Sequence, residues 1–333
     1  MIDAIELKNF GMIEKLDWQK LGKINLVIGA NGTGKTFLLK SLYTAMRTLE
    51  EHKRGDDQRS ISQILFEKLF WTFQTEKIGD LVRKGSENPL SLNMRFNSKT
   101  FNYSFGKDTN KAINSVDTDI PSRNDNSIFL PAKEVLSLHN IILKSREQDK
   151  VFGFDDTYLD LARALRDQSQ KGKNNPQFSK SRKNLGDMLG GRIVYEQGSS
   201  RWQFRKGNQK FSMGVTAEGI KKIAILDTLL SNGYLTTSSI VFVDEPESAL
   251  HPKAISQLLD IIAALAESGI QFFLASHSYF VIKKLYLISQ QKEMSIPIIS
   301  AGTWHSEDLQ NGMIDNPIID ESIRLYKEEI DLV

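Results

Sequence analysis

Residues Gly29-Ala30-Asn31-Gly32-Thr33-Gly34-Lys35-Thr36 fit the pattern G-x-x-x-x-G-K-[ST], with an additional glycine at 32. Glycines let a backbone fold around a phosphate with its N–H groups turned inward, and a helix start behind the loop adds partial positive charge. In that chemistry Gly29, Asn31, Gly32, Thr33 and Gly34 form the cradle, Lys35 bridges the terminal phosphates, and Thr36 offers its hydroxyl to Mg²⁺. A second candidate set, Asp244-Glu245, closes the apolar run Ile240-Val241-Phe242-Val243. Mg²⁺ is a hard cation that prefers oxygen ligands, which suits Asp244. Glu245 would orient and deprotonate a water attacking a γ-phosphate, a role worth about 10²–10⁴-fold in rate. The plainer alternatives are a glycine-rich turn before a helix and an acidic turn whose charges suit a helix dipole.

These residues need elements to hold them. Ile24 to Ile28 is a short run, apolar but for Asn25, the pattern of a strand buried on both faces, and it feeds directly into the glycine loop. Phe37, Leu38, Leu42, Tyr43, Met46 and Leu49 follow at helical spacing. Ile240–Val243 and Phe272–Ala275 read as further buried strands, with a helix from Pro252 to Glu267 between them. In an open parallel sheet, ligands collect at the carboxyl ends of strands, so the loop and the acidic pair can face one site. Residues 1–10 alternate as a first strand, and Leu16-Asp17-Trp18 suggests a second. Leu90–Phe96 and Phe101–Phe105 read as a hairpin, and Arg192–Glu196, Arg201–Arg205 and Gln209–Met213 as a three-strand meander. Helices are expected over about 133–148 and 156–168 and from Gly219 to Leu230; residues 106–126 and 169–184 read as polar loops.

With its elements placed, the run Asp244-Glu245-Pro246-Glu247-Ser248-Ala249-Leu250-His251-Pro252 resembles the Walker B and D-loop of ABC-type ATPases. The likeness is to the branch related to structural-maintenance-of-chromosomes (SMC) and OLD-type proteins, including ATPase subunits of bacterial phage-defence systems. Ala275-Ser276-His277-Ser278 looks like that family's histidine switch, and Ile5-Glu6-Leu7-Lys8-Asn9-Phe10-Gly11 like its opening strand. The resemblance implies an α/β fold: an ABC-type P-loop NTPase with a mostly parallel core sheet, an antiparallel β subdomain and a helical insertion. It implies ATP and Mg²⁺ as cofactors, with Glu245, His277 and Lys35 catalytic and Thr36 and Asp244 on the metal. His277 would contact the γ-phosphate. Val215-Thr216-Ala217-Glu218-Gly219 matches the signature segment, in which Thr216 and Gly219 would meet the nucleotide of a second copy. Thr216 replaces the usual serine, and Ala217 and Glu218 stand where glycines are usual. No glutamine marks a Q-loop; Ile128–Glu134 takes roughly that place and is assigned no catalytic role.

On this reading residues 1–333 form a single ATPase domain. Residues 51–126 are an inserted helical and hairpin segment, 133–190 a helical insertion with a basic loop, 191–300 the lobe of signature, Walker B and switch, and 301–333 a C-terminal tail. A length of 333 residues is otherwise that of about two domains. The absence of cysteine excludes disulfides, thiolate zinc sites, iron–sulfur ligation and a cysteine nucleophile. Formal net charge is only +2, so a polyanionic partner would have to be met locally. Residues 163–210 are the place: Arg163, Arg166, Lys171, Lys173, Lys180, Arg182, Lys183, Arg192, Arg201, Arg205, Lys206 and Lys210 face only Asp167, Asp187 and Glu196. Nucleic-acid phosphates, an acidic protein and plain solvent are the three readings of that surface. Met1-Ile2-Asp3 opens without a basic region before an apolar run, which makes the cytoplasm the expected compartment, without a membrane contact. The residues after His277 are too few for the toprim nuclease domain that OLD-type proteins often carry. The expected function is therefore a nucleotide-driven sensor or clamp: an ATP-dependent homodimer controlling a separate effector, such as a nuclease, in phage defence or DNA maintenance. An SMC-like DNA-repair ATPase and a non-turnover ATP-binding scaffold are the alternatives.

Overall fold

The computed structural model describes residues 1–166, 176–196 and 198–332. Its first half runs β1 (Ile2–Phe10), β2 (Ile13–Trp18), β3 (Ile24–Ile28), α1 (Lys35–Glu51), α2 (Ile61–Phe73), β4 (Leu90–Phe96), β5 (Lys99–Phe105), β6 (Ser115–Thr118) and β7 (Ser127–Leu130). Then come α3 (His139–Leu143), α4 (Asp156–Arg166), α5 (Ser179–Leu189), β8 (Arg192–Glu196), β9 (Arg201–Lys206), β10 (Gln209–Ser212) and α6 (Glu218–Ser231). The chain continues through β11 (Ile240–Asp244), α7 (Pro252–Glu267), β12 (Gln271–Ser276), α8 (Tyr279–Lys292), β13 (Pro297–Ser300), β14 (His305–Asp308) and α9 (Pro317–Asp331).

The apolar runs all enter one six-stranded sheet of order β14-β13-β3-β12-β11-β7. Every pairing in it is parallel except β13 with β14. Successive side chains of a strand point to opposite faces, and here both faces are covered. Val27, Phe129, Phe242, Phe273 and Ile299 enter one core, while Leu26, Ile128, Val241, Phe272 and Ile298 enter the other. Full burial of each such side chain contributes about 1.5–3 kcal/mol, so neither alternating nor polar sequence would serve in these strands. The first core is closed by an antiparallel sheet of order β2-β1-β4-β5-β6, and the second by α4 to α8.

Between the two sheets lies α1, the helix that begins at Lys35-Thr36. Thirteen of its seventeen residues are buried, and a helix buried on nearly all sides must pair its polar groups internally. The hydroxyls of Ser41, Thr44 and Thr48 donate to carbonyls one turn back, at 2.7–2.8 Å. Arg47 reaches Glu50 at 3.0 Å and Asp160 of α4 at 3.2 Å. Glu50, fully buried, also accepts the Ser127 N–H at 3.0 Å and its hydroxyl at 2.6 Å. These bonds lock the phosphate-loop helix to β7 and α4.

Three expectations are corrected. The polar stretch 106–126 contains β6, which pairs with β5 along Phe101–Ser104; Asp117-Thr118-Asp119 lies at that edge and not in a free turn. The helix expected from 133 begins only at His139 and ends in a π-turn over Lys144–Gln148. The loop expected over 169–184 gives way to α5 from Ser179, because Phe178, Leu185 and Leu189 find core contacts that local composition does not announce. Residues 167–175, with Asp167, Lys171 and Lys173, lie outside the described residues. No helix among the described residues is long and apolar enough to cross a membrane.

Replacing Glu50 by Ala removes one of the carboxylates that pair with Arg47 and leaves the Ser127 N–H without its acceptor in the interior. The expected loss of unfolding free energy is about 3–5 kcal/mol, measured by urea denaturation against Glu51→Ala, whose side chain is partly exposed and which costs less.

Candidate functional site

The phosphate loop leaves β3 and returns into α1 through three glycines of left-handed φ: Gly29 at 149°, Gly32 at 78° and Gly34 at 98°. At Gly29 a Cβ would also stand 2.8 Å from the Thr33 hydroxyl and 3.1 Å from the Ala301 carbonyl. Gly34 is the residue at the helix N-cap and no side chain caps it, so the first N–H groups of α1 remain for an anion. The Lys35 ammonium is buried inside the loop and donates to the Gly29 and Ala30 carbonyls, both at 2.8 Å. Burial pushes its pKa below the usual lysine range, while the charges of Asp244, Glu245 and Glu247 pull it back. Asn31 and Gly32 are exposed at the loop tip, and the Thr33 hydroxyl donates to the Ala30 carbonyl at 2.9 Å.

The Thr36 hydroxyl donates to both oxygens of Asp244, at 2.9 and 3.1 Å. Burial pushes the Asp244 carboxyl above its usual range; the Thr36 bond opposes the shift and the Glu245 charge adds to it. A hydroxyl and a buried carboxylate converging on one point fit a hard divalent cation, which would offset the cost of the buried charge. Mg²⁺ takes one or two protein oxygens and completes its shell with phosphate and water.

Glu245 lies one residue on, with a left-handed φ of 48°. Its N–H donates to the Ala275 carbonyl at 2.9 Å, and its own carbonyl accepts the Lys222 ammonium at 2.7 Å. The turn this makes sends the Glu245 carboxylate to within 3.6 Å of His277 Nδ1. Lys35, Thr36, Asp244, Glu245 and His277 thus come together from the start of α1 and the carboxyl ends of β11 and β12. Thr216 and Gly219 are engaged elsewhere. The Thr216 hydroxyl donates to the Ser212 carbonyl at 2.9 Å. Gly219 packs against the acidic turn so closely that a Cβ would stand 2.6 Å from Leu250 Cδ2 and 2.8 Å from the Ala249 carbonyl.

Sequence reasoning passed over two residues here. Glu247, whose side chain is only 10% exposed, accepts the Ser276 hydroxyl at 2.8 Å and the His277 N–H at 3.2 Å through one oxygen. Its other oxygen is buried without a partner among the described residues. Lys222 holds the turn from α6. Glu247 was visible inside the acidic run; no periodicity marks Lys222, whose contact depends on how α6 lies against β11.

The parallel sheet with a phosphate loop at one strand end and an acidic pair at another is the ABC-type P-loop fold of SMC heads. The fold is shared with two solved SMC heads. One is the SmcHead bound to the C-winged helix domain of ScpA, with a TM-score of 0.54 and 14% identity over 92% of this chain and 96% of that one. The other is the Smc head domain with an extended coiled coil bound to the C-terminal domain of ScpA derived from Pyrococcus furiosus, at 0.52 and 13% over 98% of each. The chain belongs to the family described as AAA domain, putative AbiEii toxin, Type IV TA system, whose model matches residues 24–283. It is also similar to the DNA replication and repair protein RecF of Bacillus cereus (strain G9842) and of Bacillus thuringiensis (strain Al Hakam). Each is 31% identical over 94 residues, covering 28% of this chain and 23% of the relative.

Glu247→Ala removes the acceptor that ties the end of β12 to the acidic turn. The expected destabilisation is about 1–3 kcal/mol, read from denaturant unfolding, with Glu247→Gln recovering part of it.

Proposed function

We propose that this chain binds Mg²⁺-ATP at the crevice between residues 29–36 and Asp244-Glu245-His277 and hydrolyses it. The observation that carries the reading is the Thr36–Asp244 contact, which joins a phosphate-loop hydroxyl to a carboxylate 208 positions away. Gly29 to Gly34 would wrap the phosphates, Lys35 would hold the terminal ones, and Thr36 and Asp244 would hold Mg²⁺. Bound there, the cation draws charge off the phosphates. Glu245 would take the proton of the attacking water; His277, beside it, would contact the γ-phosphate.

Thr216 and Gly219 sit away from the loop of their own chain, which supports a head-to-tail homodimer with each nucleotide shared between copies. Closing and reopening of that pair is a two-state element that a separate effector can read. The toxin–antitoxin wording of the family description supports a role in phage defence. The RecF likeness favours a second reading, in DNA repair.

Nucleic acid would bind through β8–β10. Arg192 lies opposite Arg205, and Arg205 opposite Lys210, so three cations stand in register on one face. Like charges placed so are mutually destabilising, and a polyanion would relieve them. Of the three, Lys210 is already paired with Glu196 at 3.2 Å, and outside the row Arg163 is paired with Glu147 at 2.8 Å, so among the described residues Arg192 and Arg205 carry the unbalanced charge.

Lys35→Ala is expected to abolish ATP binding. Glu245→Gln keeps binding and loses about 10²–10⁴-fold in phosphate release; release at the wild-type rate from either variant overturns the assignment. With ATP, Glu245→Gln should run at twice the monomer mass in light scattering. For the cation row, Arg192→Gln and Arg205→Gln should each lower the log–log salt slope of DNA binding by about 1, measured by fluorescence anisotropy.

A further inference from the structure

Behind the acidic turn, on the far side of β11 from the phosphate loop, the core contains a cavity of about 300 Å³. Ile225 and Leu226 of α6, Leu258 and Ile262 of α7, Val243 and Phe272 wall it, and no residue of 29–36 lines it. Apolar cavities of about half that volume take up benzene, so this one has room for a body of about ten heavy atoms. Its rim is polar and basic. Glu218 and Glu134 there are occupied with Lys221, at 2.7 and 3.8 Å. Lys222 and Lys133 form no ion pair among the described residues. An ammonium has three donors, and the one bond of Lys222 goes to the Glu245 carbonyl.

We propose that this cavity is a second ligand site, for a compact aliphatic or aromatic carboxylate whose apolar body fills the core and whose head meets Lys222. Burial pushes the Lys222 pKa below the usual lysine range although the charges of Glu247, Glu245, Asp244 and Glu218 pull it back, and an anionic head would offset the remaining cost. The occupant would touch more than a wall. Pro246, Ser248 and Ala249 roof the cavity, and the turn they form has left-handed φ at two non-glycine residues, Glu245 at 48° and Ala249 at 62°. Such strained backbone persists only while its surroundings hold it. A carboxylate bound to the free donors of Lys222 would draw the ammonium toward the cavity and strain the bond that holds Glu245, so occupancy and the position of the Glu245 side chain are coupled.

Octanoate is the probe, titrated into the full chain without nucleotide by calorimetry, with 1-octanol and octylamine in parallel. Octanoate is expected to bind with Kd between about 10 µM and 1 mM, as about ten well-buried heavy atoms support. Octanol and octylamine should bind at least about tenfold more weakly. Ile225→Trp, which fills the cavity, should abolish binding, and Lys222→Met should reduce octanoate to the affinity of octanol. Should Ile225→Trp fail to fold, Lys222→Met decides. No octanoate binding, equal binding of the three probes, or undiminished binding to the folded variants overturns the site. Binding does not rest on the ATPase reading; its consequence does. Saturating octanoate should slow phosphate release by about threefold or more, and unchanged release removes the coupling while leaving the site.

Discussion

A threonine hydroxyl reaches an aspartate 208 residues away only if two strand ends are held side by side and point the same way. β3 and β11 are separated by one strand, β12, and both pair with it in parallel. Adjacent strands lie about 4.8 Å apart, so the two carboxyl ends come within about 10 Å of one another. That gap is spanned by the glycine loop turning back into α1 on one side and by Asp244 on the other. The pairing in the middle of the sheet therefore determines whether a site exists. It also explains why β12, which lies between them, ends in Ser276-His277 beside the same crevice.

The helix carrying Lys35 and Thr36 is held by charge as well as by packing. Asp160 of α4 accepts the Tyr43 hydroxyl at 2.7 Å, Arg47 at 3.2 Å and Lys68 of α2 at 3.4 Å. Burial alone would raise its pKa, but the Lys68 and Arg47 charges and the Tyr43 bond outweigh that and hold it well below the usual carboxylate range. Lys68 also meets Glu51 at 2.7 Å and Asp156 at 3.3 Å. A buried ionic network adds little net stability over an apolar one, yet breaking it is costly. Its effect is directional: only one arrangement of α1, α2 and α4 satisfies every member. A purely greasy interface would let the helix slide, and with it the loop.

The acidic turn shows a second use of the same principle. Glu245 has a backbone conformation that non-glycine residues seldom take, and a bond from the Lys222 ammonium to its carbonyl and one from its N–H to the Ala275 carbonyl secure it. Glu247 clamps the neighbouring strand end through Ser276 and His277. Strand ends, turn and His277 are one bonded unit, bordered on its far side by an apolar cavity and the first turns of α6.

Local chemistry made much of this legible beforehand. The doubly buried strands Ile24–Ile28, Ile240–Val243 and Phe272–Ala275 were readable because full burial selects apolar side chains. Asn25, the polar residue within the first, is tolerated because its amide donates to the Gly22 and Phe272 carbonyls. The loop was readable because left-handed turns select glycine. What composition by itself misled on was the polar stretch: β6 and α5 owe their existence to neighbours, an open edge on β5 and a core surface for Phe178, Leu185 and Leu189. Residue types and spacing alone singled out Lys35, Thr36, Asp244 and Glu245 as the candidate groups. Only the folded chain decided which of them touch, that Glu247 and Lys222 join them, and that Thr216 and Gly219 do not. Strand order and helix placement arise from contacts between residues hundreds of positions apart, and no local pattern records those.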